Sequence, residues 1–267
     1  MILSQWMLLE AVRDIVPVEL GVTAGLRLWP ARRAQPGDVC TDAALVLARR
    51  AGRPARSLAE ALASRLGDVP GVALARMAGA GFVNIWFADA ALEGLLPRLL
   101  LRRQGATGPA LAPLVVPLAG MTLDDPSFRI QYAHARCRSV QRAAAADPAA
   151  GWSSKLERMR GMARIGPLPP GPRRALVCAL EHGACPGGDT ALAGDALRRW
   201  LDRLAAAFEC VWNDSAGHAT LRDVMVRFLD PARPDATLVD LALVMATADA
   251  IRDGLAQLGL RAAEEIR

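Results

Sequence analysis

The stretch from Gln104 to Leu123 constrains the fold of this 267-residue chain more than any other. It is the longest run without a charged residue, and it carries Pro109, Pro113, Pro117 and three glycines. Proline removes a backbone donor and breaks helices, so an apolar run punctuated this way predicts a linker rather than a membrane span. A segment of this length also cannot hold a βαβ nucleotide-binding unit, which needs roughly 30 residues. The chain is therefore read as a unit at 1–97, a linker at 98–124 and a second unit at 125–267. Each unit is long enough to bury a core.

The first unit mixes periods. Residues 3–16 have helical spacing and Val22 to Trp29 reads as a strand. Pro36-Gly37-Asp38 is a turn, after which Thr41 and Asp42 can cap a helix through Ala51. Ser57-Leu58-Ala59-Glu60 has the form of a capping box, with Leu58, Leu62 and Leu66 facing inward. Strands are predicted over Val72–Met77 and Phe82–Phe87. Alternation puts Val83, Ile85 and Phe87 on one face of the latter strand, and Phe82, Asn84 and Trp86 on the other. Two rings and an amide on one face can stack on a base and bond its edge, although burial on both faces is the alternative.

The second unit opens at Asp125-Pro126-Ser127, a helix-start pattern. It continues Phe128-Arg129-Ile130-Gln131-Tyr132-Ala133-His134-Ala135-Arg136-Cys137-Arg138-Ser139-Val140. Ala133, Cys137, Val140 and Ala144 share one face, and Arg129, Tyr132 and Arg136 fall beside it. A ring between guanidinium groups suits an unstacked base and its flanking phosphates, and it equally suits a core helix with solvated arginines. Further helices are predicted over Lys155–Arg164, Arg173–Glu181, Asp195 to about Trp212-Asn213, and Thr237–Leu258, with a turn at Cys185–Gly188. Leu197, Leu201, Leu204, Phe208 and Val211 form the inward stripe of the long one. Hydrophobic residues at 52% with aromatics at only 4% describe an Ala/Leu-rich, helix-favouring chain. The net charge of +5 comes almost wholly from arginine, since Lys155 is the only lysine. Arginine binds phosphate bidentately and stacks on bases.

Several function classes drop out. The segment from Met1 to Pro17 lacks a basic n-region and carries Glu10, Arg13 and Asp14, so it does not read as a secretion signal. Five cysteines (40, 137, 178, 185 and 210) include no C-x-x-C pair. Cys178, His182 and Cys185 have no further ligands at tight spacing, so no metal is predicted and the thiols read as reduced. Asp124-Asp125 and Glu264-Glu265 read as solvated pairs, and no acid, base or nucleophile constellation stands out.

Three motifs carry a family resemblance. The string Phe128 to Arg136 resembles the F-Y-V-Q-Y-A-H-A-R of the DALR-type anticodon-binding domain of arginyl-tRNA synthetases. Gly37-Asp38-Val39-Cys40-Thr41-Asp42-Ala43-Ala44-Leu45-Val46-Leu47-Ala48 is similar to the G-D-x-A-T-N-A-A-x-x-L-A of their N-terminal domains, and Ala78-Gly79-Ala80-Gly81-Phe82-Val83-Asn84-Ile85 to their A-G-P-G-F-I-N-F, with Ala80 in place of proline. The helix ending at Trp212-Asn213 and the closing segment to Arg267 also resemble family patterns. Arg129 and Arg267 stand where the family has tyrosine and methionine. The adenylate-forming motifs H-x-G-H and K-M-S-K occur nowhere in the sequence.

The resemblance implies a small α+β N-terminal domain followed by an all-α, DALR-type helical bundle, with the catalytic domain replaced by the linker. It implies a non-catalytic tRNA-binding protein. Phe82, Asn84 and Trp86 would hold the tRNA elbow, and Arg129, Tyr132, Arg136, Phe208, Trp212 and Arg267 the anticodon arm. The expected partner is tRNA, first an arginine tRNA, which the chain would present to a tRNA methyltransferase or another tRNA enzyme in the cytoplasm. No membrane, cofactor or small-molecule substrate is expected. The alternatives are a tRNA-binding subunit acting in trans in aminoacylation, and a protein–protein scaffold that no longer binds RNA.

Overall fold

The computed structural model describes residues 11–12, 28–30, 36–102, 114–116, 121–166, 168, 171–183, 194–216 and 228–266. Within the segment read as a helix over 3–16, only residues 11–12 are described, and they are helical. The turn at 185–188 and Arg267 lie outside the described residues. The chain divides into two compact units, Met1–Leu92 and Glu93–Arg267.

Among the described residues, the first unit holds a four-stranded antiparallel sheet with two helices, α1 (Ala43–Ala51) and α2 (Ala55–Gly67), against one side. Its strands are β1 (Leu28–Pro30), β2 (Val39–Thr41), β3 (Val72–Ala78) and β4 (Phe82–Phe87), in the spatial order β1-β2-β4-β3. Asp42 takes the N-cap position of α1, while the side-chain bond at that end is Thr41's: the N–H of Ala43 donates to its hydroxyl oxygen at 3.1 Å. Gly52 ends α1 with φ +61°, a left-handed conformation that glycine adopts without a Cβ penalty.

The expected capping box does not form. Pro54, extended at ψ 129°, takes the N-cap position of α2 three residues before Ser57, whose hydroxyl donates to Pro54 O. Glu60 pairs with Arg56 instead. Leu58, Leu62 and Leu66 are buried as expected. They meet Val83, Ile85 and Phe87 beneath the sheet, together with Val39, Thr41 and Leu47.

The second unit is helical, with one small two-stranded sheet. Helix α3 (Asp89–Glu93) runs up to its start. Then come α4 (Leu95–Arg102), β5 (Leu114–Val116), α5 (Pro126–Ala145), α6 (Trp152–Arg160), α7 (Pro172–Gly183), α8 (Gly194–Ala216), α9 (Pro234–Gln257) and β6 (Ala263–Ile266). Helix α9 touches α4, α5, α6, α7 and α8. Its buried residues, from Val239 through Leu241, Leu243, Val244 and Ala246 to Ile251 and Leu255, run round the whole helix rather than along one stripe. A helix apolar on every side belongs in the middle of a bundle. Gly254 lets α8 come close, because a Cβ there would sit 2.7 Å from Leu201 Cδ2. Gly259, at φ +71°, closes the helix: its N–H donates to Ala256 O and that of Leu260 to Leu255 O.

Two elements fall inside the span read as a linker. Helix α4 continues to Arg102 because Leu95, Leu96, Leu99 and Leu100 repeat at helical spacing and are all buried. Strand β5 pairs in parallel with β6, Leu114 opposite Ala263 and Val116 opposite Ile266. The span therefore supplies parts of the second unit's own framework.

Candidate nucleic-acid interface

Strand register assembles the first surface. Across the side of the sheet away from α1 and α2, Trp29, Cys40, Asn84 and Arg76 stand opposite one another in one row. On either side of that row, Phe82 pairs with Ala78 and Trp86 with Leu74. Side chains of directly paired residues share a face, so these eight positions line one surface. Phe82 is 39% exposed and Leu74 is 36% exposed. Arg76 is exposed, and Trp29 and Trp86 are half-buried.

Asn84 departs from expectation. Expected to reach a base edge, it is only 5% exposed. It lies on the inner strand β4, between Cys40 and Arg76, and the turn at Gly37 comes close: a Cβ there would sit 3.4 Å from Asn84 Cβ. Asn84 is thus buried within this face, and the groups open to a ligand are aromatic and guanidinium. Sequence reading missed Trp29, Leu74 and Arg76, since only the sheet order sets β3 beside β4 and β1, across β2, on the same face.

The second expected surface has a different character. Phe128, Tyr132 and Arg136 form a column along α5 at successive i, i+4 positions. The Phe128 and Tyr132 rings stack at 5.5 Å with an 18° interplanar angle. Arg136 Cζ lies 4.1 Å from the Tyr132 ring centroid, and its Nη2 donates to the tyrosine hydroxyl oxygen at 3.0 Å. The same guanidinium is 4.7 Å from the Trp212 ring, which packs on Phe208 at 6.0 Å and Phe228 at 5.5 Å. Phe128 one turn before Tyr132 and Arg136 one turn after it both pack against the ring, so a base would have to compete with them for it.

Phe208 and Trp212, expected to contact the anticodon arm, are instead interior, at 1% and 3% exposure. Helix α8 continues to Ala216, so Trp212 sits within the helix rather than at its end. Arg129 is engaged as well: its Nε donates to Leu123 O at 2.9 Å and its Nη1 is 3.4 Å from Asp202 Oδ1.

The remaining side chains of α5 hold the end of the unit. Gln131 Nε2 donates to Arg261 O at 2.8 Å, while the N–H of Ala263 donates to Gln131 Oε1 at 2.6 Å. His134 Nδ1 lies 2.6 Å from Ala263 O, so that nitrogen carries a proton. Arg138 pairs with the Glu264 carboxylate at 2.6 Å, and Arg142 donates to Glu264 O. Glu264, expected to be a solvated acid, is thus a partner in this clamp. Burial lowers the pKa of His134 from 6.5; the Ala263 carbonyl and Glu264 oppose the shift.

That shift fixes a pH dependence. With the folded value below the unfolded one, the unfolded chain binds the extra proton. The contribution is therefore present above about pH 6.5 and is lost as pH falls through the folded value. The variant His134→Asn keeps a donor to Ala263 O but cannot titrate. Denaturant midpoints at pH 7 and pH 5 should fall further in the wild type than in this variant. Equal falls would show that His134 does not contribute to the slope.

Among the described residues, no group of three or more His, Cys, Asp or Glu side chains could hold a metal ion, and no helix is long and apolar enough to cross a membrane. Comparison with known proteins gives a match for the first unit. Residues 8–87 match the family described as the arginyl tRNA synthetase N terminal domain. An arginine–tRNA ligase of Cereibacter sphaeroides is 41% identical over 105 residues, covering 35% of this chain and 18% of the ligase. The corresponding ligase of Paracoccus denitrificans is 49% identical over 63 residues, covering 24% of this chain and 11% of that one. The chain thus spans less than a fifth of the length of these curated relatives. Among solved structures, a Thermus thermophilus arginyl-tRNA synthetase aligns over 90% of this chain and 37% of its own, at 16% identity and a TM-score of 0.29.

Proposed function

We propose that this chain binds tRNA through the open face of its N-terminal sheet and acts as a non-catalytic adaptor for a tRNA-modifying or other tRNA enzyme. The observation that carries this reading is the placement of Phe82 and Trp86. Both lie inside the segment that matches the synthetase N-terminal family, on the sheet side away from α1 and α2. Rings that are exposed or half-buried beside an arginine suit unpaired bases with neighbouring phosphates. The absence of H-x-G-H and K-M-S-K from the sequence supports a role without adenylate formation.

The test is a pair of variants, Phe82→Ala and Trp86→Ala, with binding of an arginine tRNA transcript measured at fixed salt. Each lost stack should cost about 1–3 kcal/mol. Unchanged affinity in both folded variants would sink the reading.

A second reading applies to the helical unit, in which it docks a protein partner rather than reading the anticodon. It is favoured by the packed state of Tyr132, Arg136 and Trp212. An isolated anticodon stem-loop should then bind no better than an unrelated hairpin of equal length. A clear preference for the anticodon arm would overturn it.

A further inference from the structure

Trp29 and Arg76 lie on the same face as Phe82 and Trp86, yet neither belongs to the strand that first marked that face. From these positions we infer that the surface holds at least two consecutive unpaired nucleotides of one RNA strand. One base stacks on Phe82 or Trp86, a second on Trp29, and a phosphate of the same strand pairs with Arg76. This inference rests on the tRNA-binding reading above and extends it to how many nucleotides the face takes and which groups take them.

Spacing carries the argument. Trp29 on β1 is two strands away from β4. Neighbouring strands lie about 4.8 Å apart, so their backbones are separated by roughly 10 Å. Bases stack about 3.4 Å apart along a strand, so one base resting on Phe82 or Trp86 leaves the Trp29 ring to another. The full row from Trp29 to Arg76 crosses three strand spacings, about 14 Å. That width suits a short run of nucleotides rather than a single base.

Charge supports the same occupant. Arg76 is exposed and makes no ion pair or hydrogen bond among the described residues, so its guanidinium is available to a phosphate. None of the eight positions on the face is acidic. Cys40 and Asn84, at 7% and 5% exposure, are buried in the middle of the row, so the groups open to a ligand are the rings and Arg76. An acidic protein segment would meet the same arginine but would gain little from three separated rings. An RNA strand offers a π-face at every nucleotide.

The experiment uses the full chain and an arginine tRNA transcript, with affinity measured across a salt series. Arg76→Ala should weaken binding and reduce the slope of log K against log salt by about one. Trp29→Leu, which keeps apolar bulk on β1, should weaken binding about 5- to 150-fold at a nearly unchanged slope. Phe82→Ala serves as the reference. If Phe82→Ala weakens binding while Arg76→Ala and Trp29→Leu both stay within twofold of wild type, the face is one base wide and the inference falls with the tRNA reading intact. If all three leave affinity unchanged, the tRNA reading itself fails and the face is free for a protein partner. Should Trp29→Leu not fold, crosslinking of wild-type protein to 4-thiouridine-substituted tRNA decides the point. Adducts on peptides containing both Trp29 and Trp86 support the inference, and adducts confined to the β4 peptide overturn it.

Discussion

Replacing Trp212 with alanine should cost the helical unit about 3–5 kcal/mol, the usual toll of removing a large buried ring. The indole is 3% exposed, and it joins Phe208 and Phe228 on one side to the Arg136 guanidinium on the other. Its removal opens a cavity and also strips a partly buried cation of one of its two aromatic partners. That cation is already short of partners, because Arg136 Nε is buried without a hydrogen bond. Hydrogen exchange should accelerate in peptides across α8 and α9 and stay unchanged across β3 and β4, where none of these contacts lies. The variant Trp212→Phe keeps a ring against Phe208 and should lose much less. If Trp212→Ala instead unfolded like the wild type and bound the anticodon arm weakly, the ring would be a contact residue after all.

A comparable loss should follow from Arg173→Met. Arg173 grips Asp240 with two bonds, Nε to Oδ1 at 2.6 Å and Nη2 to Oδ2 at 2.9 Å, and reaches Asp214 Oδ2 at 3.1 Å. The Asp240 side chain is 6% exposed. The pairing, led by the hydrogen bond to Asp240, raises the arginine's pKa further. Taking away the guanidinium leaves a carboxylate with little access to water, and breaking a buried pair in this way costs about 3–5 kcal/mol. The double variant Arg173→Met, Asp240→Leu removes the stranded charge and should recover most of the loss. Additive losses in the double variant would mean that the pair contributes no mutual stabilisation. Lysine is a poor substitute, since a point charge cannot make the two-pronged contact.

How far the chain could be read depended on the range of each interaction. Alternation along β4 placed Val83, Ile85 and Phe87 inside, because a strand's period of two is a local property. The spacing of Leu58, Leu62 and Leu66 marked the inner face of α2 for the same reason. What stayed hidden was set by distant partners. Trp29 and Arg76 share the Asn84 row only through the order of the sheet. The Gln131 and His134 side chains look like surface polar groups of α5 until β6, some 130 residues later, arrives to meet them. Arg136 beside Tyr132 reads as an RNA-facing pair until α8 brings Trp212 against it. The capping box at Ser57–Glu60 failed for a local reason: Pro54 starts the helix before that motif can act.

The pairing of β5 with β6 also sets an order of assembly on the ribosome. The described strands and helices of the first unit that meet beneath its sheet come from residues 28–87, and all have emerged before α5 is made. The helical unit cannot finish until Ala263–Ile266 has been synthesised and reaches both Leu114–Val116 and the waiting side chains of α5. During translation the nascent protein therefore presents a completed sheet while its larger half is still open, with apolar helix surface exposed to chaperones.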